Sequence, residues 1–122
     1  MLARAASVYR QVDLESAPKT QILERLFDRF LIDIANAREA IEAKDVKRKA
    51  ASLDHALRIV VELSASLDTT AAPELCANLS ALYDFVTERV VSASLTLTTA
   101  PLDQAQRVMT EIGDAFRAAH AR

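Results

Sequence analysis

The chain has 122 residues, of which 51% are hydrophobic and 26% are charged, and its formal net charge is −2. This length fits a single domain, which we expect to span residues 1–122. A net negative charge provides no broad basic surface, which argues against nucleic-acid binding. A lone cysteine excludes a disulfide within the chain, and no apolar run is long enough to cross a membrane.

The first dozen residues carry apolar side chains at spacings of three or four, ending at Tyr9 and Val12. This spacing predicts a short amphipathic helical segment. The stretch lacks the uninterrupted apolar run of a signal peptide, so we expect a cytoplasmic protein. The sequence DLESAP then breaks the pattern, and Pro18 is a typical first-turn residue of a new helix. We therefore expect an N-terminal cap segment at 1–16 and a helical bundle at 17–120.

Four long helical patterns follow this segment. One glycine and three prolines in the whole chain leave few breaks, which favours long helices. The predicted helices run from Pro18 to Ala43, from a cap at Asp45 to Leu67, from Pro73 to Leu97 and from Pro101 to Ala119. Because the connections are short, consecutive helices should be antiparallel. The expected fold is all-α, an antiparallel up-down four-helix bundle.

The first and fourth predicted helices each have a defined apolar stripe. The stripe of the first helix contains Ile22, Leu23, Leu26, Phe27, Phe30, Leu31, Ile34 and Ile41. The stripe of the fourth contains Leu102, Ala105, Met109, Ile112 and Phe116. Both follow the helical period, so these residues are predicted to form core.

The second and third helices are apolar over more than the roughly 100° that a bundle face needs. The core direction of the second helix is predicted from Leu53, Leu57, Val60 and Ser64. Ile59 and Leu63 extend its apolar arc, while Phe85, Val91 and Leu95 lie off the core stripe of the third helix. Two explanations remain open. A central helix meets two neighbours, or an apolar groove between the two helices receives a partner's amphipathic helix.

Residues that could support chemistry are sparse. His55 and His120 have no companion at metal-ligand spacing, and no Glu-x-x-His pair occurs. Cys76 has no adjacent cation and is expected to be a small packing residue. Gly113, the only glycine, lies inside a helix, so a phosphate-binding loop cannot be built. We expect neither enzymatic activity nor a metal or cofactor.

The chain resembles the FliS-type flagellar export chaperones in the order and spacing of five segments. These are SVYRQVDLESA at 7–17, LFD at 26–28, ASLDHALRIVVELSASLD at 51–68, NLSALYDFVTERVVSASL at 78–95 and IGDAFR at 112–117. The most specific parts are the Asn-Leu-x-x-Leu-Tyr-Asp run and the Tyr-x-x-Val-x-x-Glu-Ser opening. In place of the glycine that commonly follows LFD, this chain has Arg29 and Phe30.

The resemblance implies a four-helix bundle that binds newly made flagellin in the cytoplasm. The C-terminal segment of flagellin, disordered when free, would wrap around the bundle and become partly helical in its apolar grooves. Masking that segment would prevent premature polymerisation and keep flagellin competent for flagellar type III secretion. The resemblance implies no nucleotide or metal. It leaves open export-gate or regulatory proteins as further partners, and a monomer or weak homodimer as the free state.

The resemblance also implies partner-binding positions. Tyr9, with Val8 and Val12, corresponds to an N-terminal segment that can lie over the hydrophobic site and yield to flagellin. The groove candidates are Ile59, Leu63, Asn78, Leu82 and Tyr83, and Phe85 is added because of its position beside the core stripe. Two alternative functions are a homodimerising structural or regulatory bundle without a flagellin client, and a helical-bundle enzyme or regulator.

Overall fold

The computed structural model describes residues 17–120, and this part of the chain forms four α-helices. The helices are α1 (Ala17–Glu42), α2 (Val46–Ala65), α3 (Pro73–Thr96) and α4 (Ala100–His120). Each predicted helix end lies within two residues of the observed one. The N-terminal segment predicted at 1–16 lies outside the described residues. None of the helices within 17–120 has the length and apolarity that a membrane span requires.

Within residues 17–120 the four helices form a closed ring. Each helix contacts the helix before it and the helix after it in the chain, and α1 and α4 contact each other. Residues early in one helix pair with residues late in its neighbour. Asp28, in the first half of α1, pairs with Arg117, late in α4, and Arg38 pairs with Asp103 at 2.8 Å. The predicted antiparallel four-helix bundle is therefore confirmed for this range.

Local signals explain the helix boundaries. The carboxylate of Asp45 accepts a hydrogen bond from the Arg48 backbone N–H at 3.1 Å, which confirms the predicted cap of α2. The proline that begins α3, Pro73, lacks a backbone N–H and is suited to a first turn. The chain reverses after α1 and α3 through Lys44 (φ 60°) and Leu97 (φ 57°), two non-glycine residues in the left-handed region.

The core agrees with the stripes predicted for α1 and α4, with one exception. All five stripe residues of α4 are buried. In α1, Ile22 was predicted to be core and this is wrong, because its side chain is 54% exposed. Ile22 lies at the edge of α1 that faces α2, where the two helices leave a depression.

The core direction predicted for α2 is wrong by part of a turn. Its buried residues are Leu53, Ala56, Ile59, Val60 and Leu63, whereas Leu57 and Ser64 are half-buried. Because α2 packs between α1 and α3, the side chains on both flanks meet neighbouring helices. The breadth of its apolar arc is therefore accounted for largely by two packing partners.

The seam between α1 and α4 is closely packed. A Cβ atom on Gly113 would lie 3.4 Å from the Phe27 ring, so the missing side chain lets that ring lie against α4. The Phe27 ring also packs on Phe116, with centroids 5.6 Å apart.

Cys76, on α3, is buried, and its thiol donates to the Asp68 carbonyl oxygen at 3.3 Å. Burial raises the pKa of this thiol, as befits a packing residue.

Candidate functional site

Two apolar grooves flank α2, one on each side. The α1–α2 groove has a volume of about 710 Å³. Its apolar lining consists of Ile22, Leu26, Ile32 and Ile59, and its charged lining of Arg25, Asp28, Arg29, Arg58 and Glu62, with His55 between them. This groove therefore combines an apolar floor with a rim of both charges.

The second groove lies between α2 and α3 and is nearly free of charge. The α2–α3 groove has a volume of about 540 Å³ and is lined by Ala50, Ala51, Leu53, Asp54, Leu57, Val90, Val91, Ser94 and Leu95. Asp54 is its only charged residue, and its carboxylate pairs with Arg58 at 3.0 Å. An apolar helix face could occupy this groove without leaving a charge unpaired.

The α2–α3 groove continues onto the outer face of α3. A neighbouring depression of about 400 Å³, which we call the α3 face, shares Val91 and Leu95 with the groove. Its other lining residues are Asp84, Thr87, Glu88, Ser92 and Thr96. Leu95 is 79% exposed, the largest exposure among the large apolar side chains of residues 17–120. The groove and the α3 face together form one surface, which we call the apolar band; it is apolar along the groove and at Val91 and Leu95, and Asp84 and Glu88 border it on α3. Exposed apolar surface of this kind marks interaction sites.

A polar cluster around the buried Asp33 carboxylate ties α1 to α2 beside the α1–α2 groove. The Asp33 side chain is 2% exposed, and its Oδ2 lies 2.5 Å from Nδ1 of His55. Its other oxygen lies 3.4 Å from Nε of Arg29. A buried carboxylate requires such partners, because an unpaired one would bear the full cost of desolvation. The cluster is thus a structural tie between the two helices.

A family model described as flagellar protein FliS matches residues 1–122 of the chain. The chain belongs to the FliS family. The flagellar secretion chaperone FliS of Salmonella typhimurium is 31% identical over 120 residues, which cover 94% of this chain and 89% of the relative. The corresponding Escherichia coli K12 protein is 29% identical over 94% of this chain and 88% of its own. The Bacillus subtilis 168 protein is 30% identical, covering 93% and 84%.

FliS is a family of flagellar secretion chaperones and not of enzymes. The function of this FliS chain must accordingly come from surfaces that bind another protein. The grooves beside α2 and the adjoining α3 face are surfaces within residues 17–120 that combine concavity with exposed apolar side chains.

The site residues predicted for this FliS chain fall into different environments. Val8, Tyr9 and Val12 lie outside the described residues. Leu63 and Tyr83 are fully buried in the bundle core. Both side chains therefore pack against other residues of the bundle core.

The other four predicted residues are not grouped, and of these Ile59 is buried at 3% exposure. Ile59 lines the α1–α2 groove, and Leu82 is half-buried against the core. Asn78 and Phe85 are exposed on α3, outside the α2–α3 groove. The Arg89 guanidinium lies 6.0 Å from the centre of the Phe85 ring and covers part of it.

The residues that do form the apolar band of this FliS chain were partly visible in the sequence. Val91 and Leu95 were noted as lying off the core stripe of α3, and the structure places both in the α2–α3 groove. The sequence patterns do not predict the Asp33–His55 pair, and His55 is considered above only as a possible metal ligand. The available signal was Asp33 itself, a charge between Phe30 and Ala37 on a stripe that is otherwise apolar.

Removing the His55 side chain should destabilise this FliS protein. In His55→Ala the buried Asp33 carboxylate keeps only the longer contact with Arg29, so the free energy of unfolding should fall by about 1–3 kcal/mol. Arg58→Ala is the matched control, because its ion pair with Asp54 is exposed and should contribute less than about 1 kcal/mol. Urea denaturation followed by circular dichroism measures both. Equal stability of His55→Ala and the unmodified protein would contradict a structural role for the pair.

Proposed function

We propose that this FliS protein is a cytoplasmic export chaperone that binds the disordered C-terminal segment of flagellin in its apolar grooves. Binding covers the surface through which flagellin subunits pair, and so prevents premature filament polymerisation. It also keeps flagellin unfolded enough for flagellar type III secretion. Membership of the FliS family supports the chaperone role, and the apolar surfaces beside α2 support the mode of binding.

The observation that carries the proposal is the continuous apolar band formed by the α2–α3 groove and the α3 face. Burying apolar surface contributes about 25 cal/mol per Å². Ordering a disordered client costs about 2–5 kcal/mol or more, which a single small pocket would not offset. The apolar band runs from the α2–α3 groove onto the neighbouring face of α3, so it offers a client segment a longer path than a single pocket does.

The lining of the α2–α3 groove favours a helical client segment. Ala50, Ala51 and Ser94 are small, so a helix could approach the walls closely. Leu57, Val91 and Leu95 would then contact its apolar side chains, as in other complexes where an amphipathic helix lies in a groove. Such a client would gain helical structure only on binding, because its apolar face has no core of its own.

The proposal is tested by mixing the chaperone with intact flagellin and with flagellin truncated at its C-terminus. We expect a stoichiometric complex with intact flagellin and none with the truncated form, measured by isothermal titration calorimetry and light scattering. Equal binding of the two forms would contradict the proposal. A concentration-dependent dimer that excludes flagellin would instead support the alternative of a homodimerising bundle, in which a second copy covers the same band.

A further inference from the structure

A fourth depression lies at the end of the bundle where the α1–α2 and α3–α4 connections meet. This end pocket has a volume of about 300 Å³ and is lined chiefly by Ile41, Lys44, Asp45, Val46, Lys49 and Leu97. Three of these side chains are apolar, and Leu97 is 56% exposed. Two are cationic. The end pocket therefore places an apolar surface beside two positive charges.

The backbone holds two of these side chains in place at a conformational cost. Lys44 and Leu97 are the only non-glycine residues with positive φ within residues 17–120, and both line the end pocket. Glycine is the usual residue at such helix-ending positions because it has no Cβ to clash. Here a lysine and a leucine occupy them, and strained positions of this kind tend to occur at functional sites.

The two lysines are available to a ligand. Neither Lys44 nor Lys49 forms an ion pair with any residue of the range 17–120; the Lys49 ammonium donates one hydrogen bond, to the Ser94 carbonyl oxygen at 3.4 Å. The one acid in the lining, Asp45, accepts the Arg48 backbone N–H as the cap of α2. The Arg48 guanidinium is itself paired with Glu39 at 2.8 Å.

The end pocket lies next to the α2–α3 groove, although the two share no lining residue. Lys49 lines the pocket, and the next residue, Ala50, lines the groove. The hydrogen bond from Lys49 reaches Ser94 on the opposite wall of that groove. A chain that leaves the groove at this end would pass the Lys49 side chain to reach the pocket.

We propose that the end pocket binds the C-terminal residue of the client chain, an inference that rests on the proposed function. The terminal side chain packs against Ile41, Val46 and Leu97, and the α-carboxylate pairs with Lys44 and Lys49. A chain terminus fits because one residue supplies both an apolar side chain and a carboxylate. Capture of a terminal carboxylate is a known mode of peptide recognition.

The test uses a synthetic peptide of the flagellin C-terminal segment, prepared as the free acid and as the C-terminal amide. With the unmodified chaperone, amidation of the peptide should raise the dissociation constant about threefold to tenfold, as measured by calorimetry. In Lys44→Gln/Lys49→Gln the two peptides should bind equally. Lys47→Gln is the matched control, because Lys47 is exposed beside the pocket without lining it, and it should retain the difference.

Leu97→Gly examines the apolar wall separately. Glycine accepts the positive φ at this position without strain, so the variant removes a side chain while the fold is retained. It should weaken the free acid and the amide alike. Unchanged affinity for both peptides would show that the wall is not used and would overturn this part of the proposal.

The other possible outcomes separate failure of the end-pocket proposal from failure of the proposed function. Tight, equal binding of acid and amide to the unmodified chaperone would overturn the end-pocket proposal and leave the proposed function intact. Equal binding that Lys44→Gln/Lys49→Gln weakens for both peptides would mean that an internal carboxylate occupies the pocket, which also overturns it. Failure of both peptides to bind would contradict the proposed function itself.

Discussion

Leu95→Asp should weaken binding of the flagellin C-terminal segment by about tenfold to a hundredfold. Leu95 lines both the α2–α3 groove and the α3 face, so a bound client would bury its side chain completely. The substitution removes that apolar contact and places an unpaired carboxylate in the interface. Because Leu95 is already 79% exposed in the free protein, the fold should tolerate the change.

Val61→Asp is the matched control for Leu95→Asp. Val61 is 68% exposed on α2 and lines none of the grooves or pockets described above. Val61→Asp therefore adds the same charge to the bundle at a position outside the apolar band. Calorimetric titration of both variants should show a loss for Leu95→Asp alone. A similar loss for both would indicate non-specific hydrophobic association, and no loss for either would exclude the band as the binding site.

Leu63→Ala should lower the free energy of unfolding by about 2–5 kcal/mol. Leu63 has no exposed surface and belongs to the core cluster shared by the four helices. Truncating it leaves a cavity in addition to the lost transfer free energy, because the surrounding helices relax only in part. Thermal and urea denaturation measure the change directly.

Ile32→Ala provides the comparison for Leu63→Ala. Ile32 lies on the wall of the α1–α2 groove and is exposed, so its loss should change stability by less than about 0.5 kcal/mol. If Leu63 acted mainly as a client contact, Leu63→Ala would reduce client affinity while leaving stability near that of the unmodified protein. That result would contradict the packing role we assign to it.

The helices and their ends could be predicted because their signals are local. Asp45 as a cap and Pro73 as a first-turn residue act within a few residues of the chain, so no tertiary information is needed. The core stripe of α4 could also be predicted, since its opposite face is polar. A narrow amphipathic helix has only one way to face a core.

The core of α2 and the groove residues could not be derived in the same way. The apolar side chains of α2 cover a wide arc of the helix surface, from Leu57 round to Ile59. Several directions within that arc could face the core, and only the positions of α1 and α3 determine which one does. Tyr83 and Phe85, two residues apart on α3, illustrate the result: one is fully buried and the other exposed. Likewise, the Asp33–His55 tie depends on two helices meeting in register, which no spacing within either helix encodes.

The tight seam between α1 and α4 has a consequence for how the bundle adjusts to a guest. Gly113 lets α4 lie against the Phe27 ring, and ion pairs at Asp28, near the middle of α1, and at Arg38, in its last third, join the same two helices. Shifting α4 would break all of these contacts at once, whereas α2 borders open furrows on both flanks. Since the Asp33–His55 tie also holds α2 to α1, differently shaped client side chains would be accommodated by the exposed side chains that line the grooves and not by sliding of whole helices.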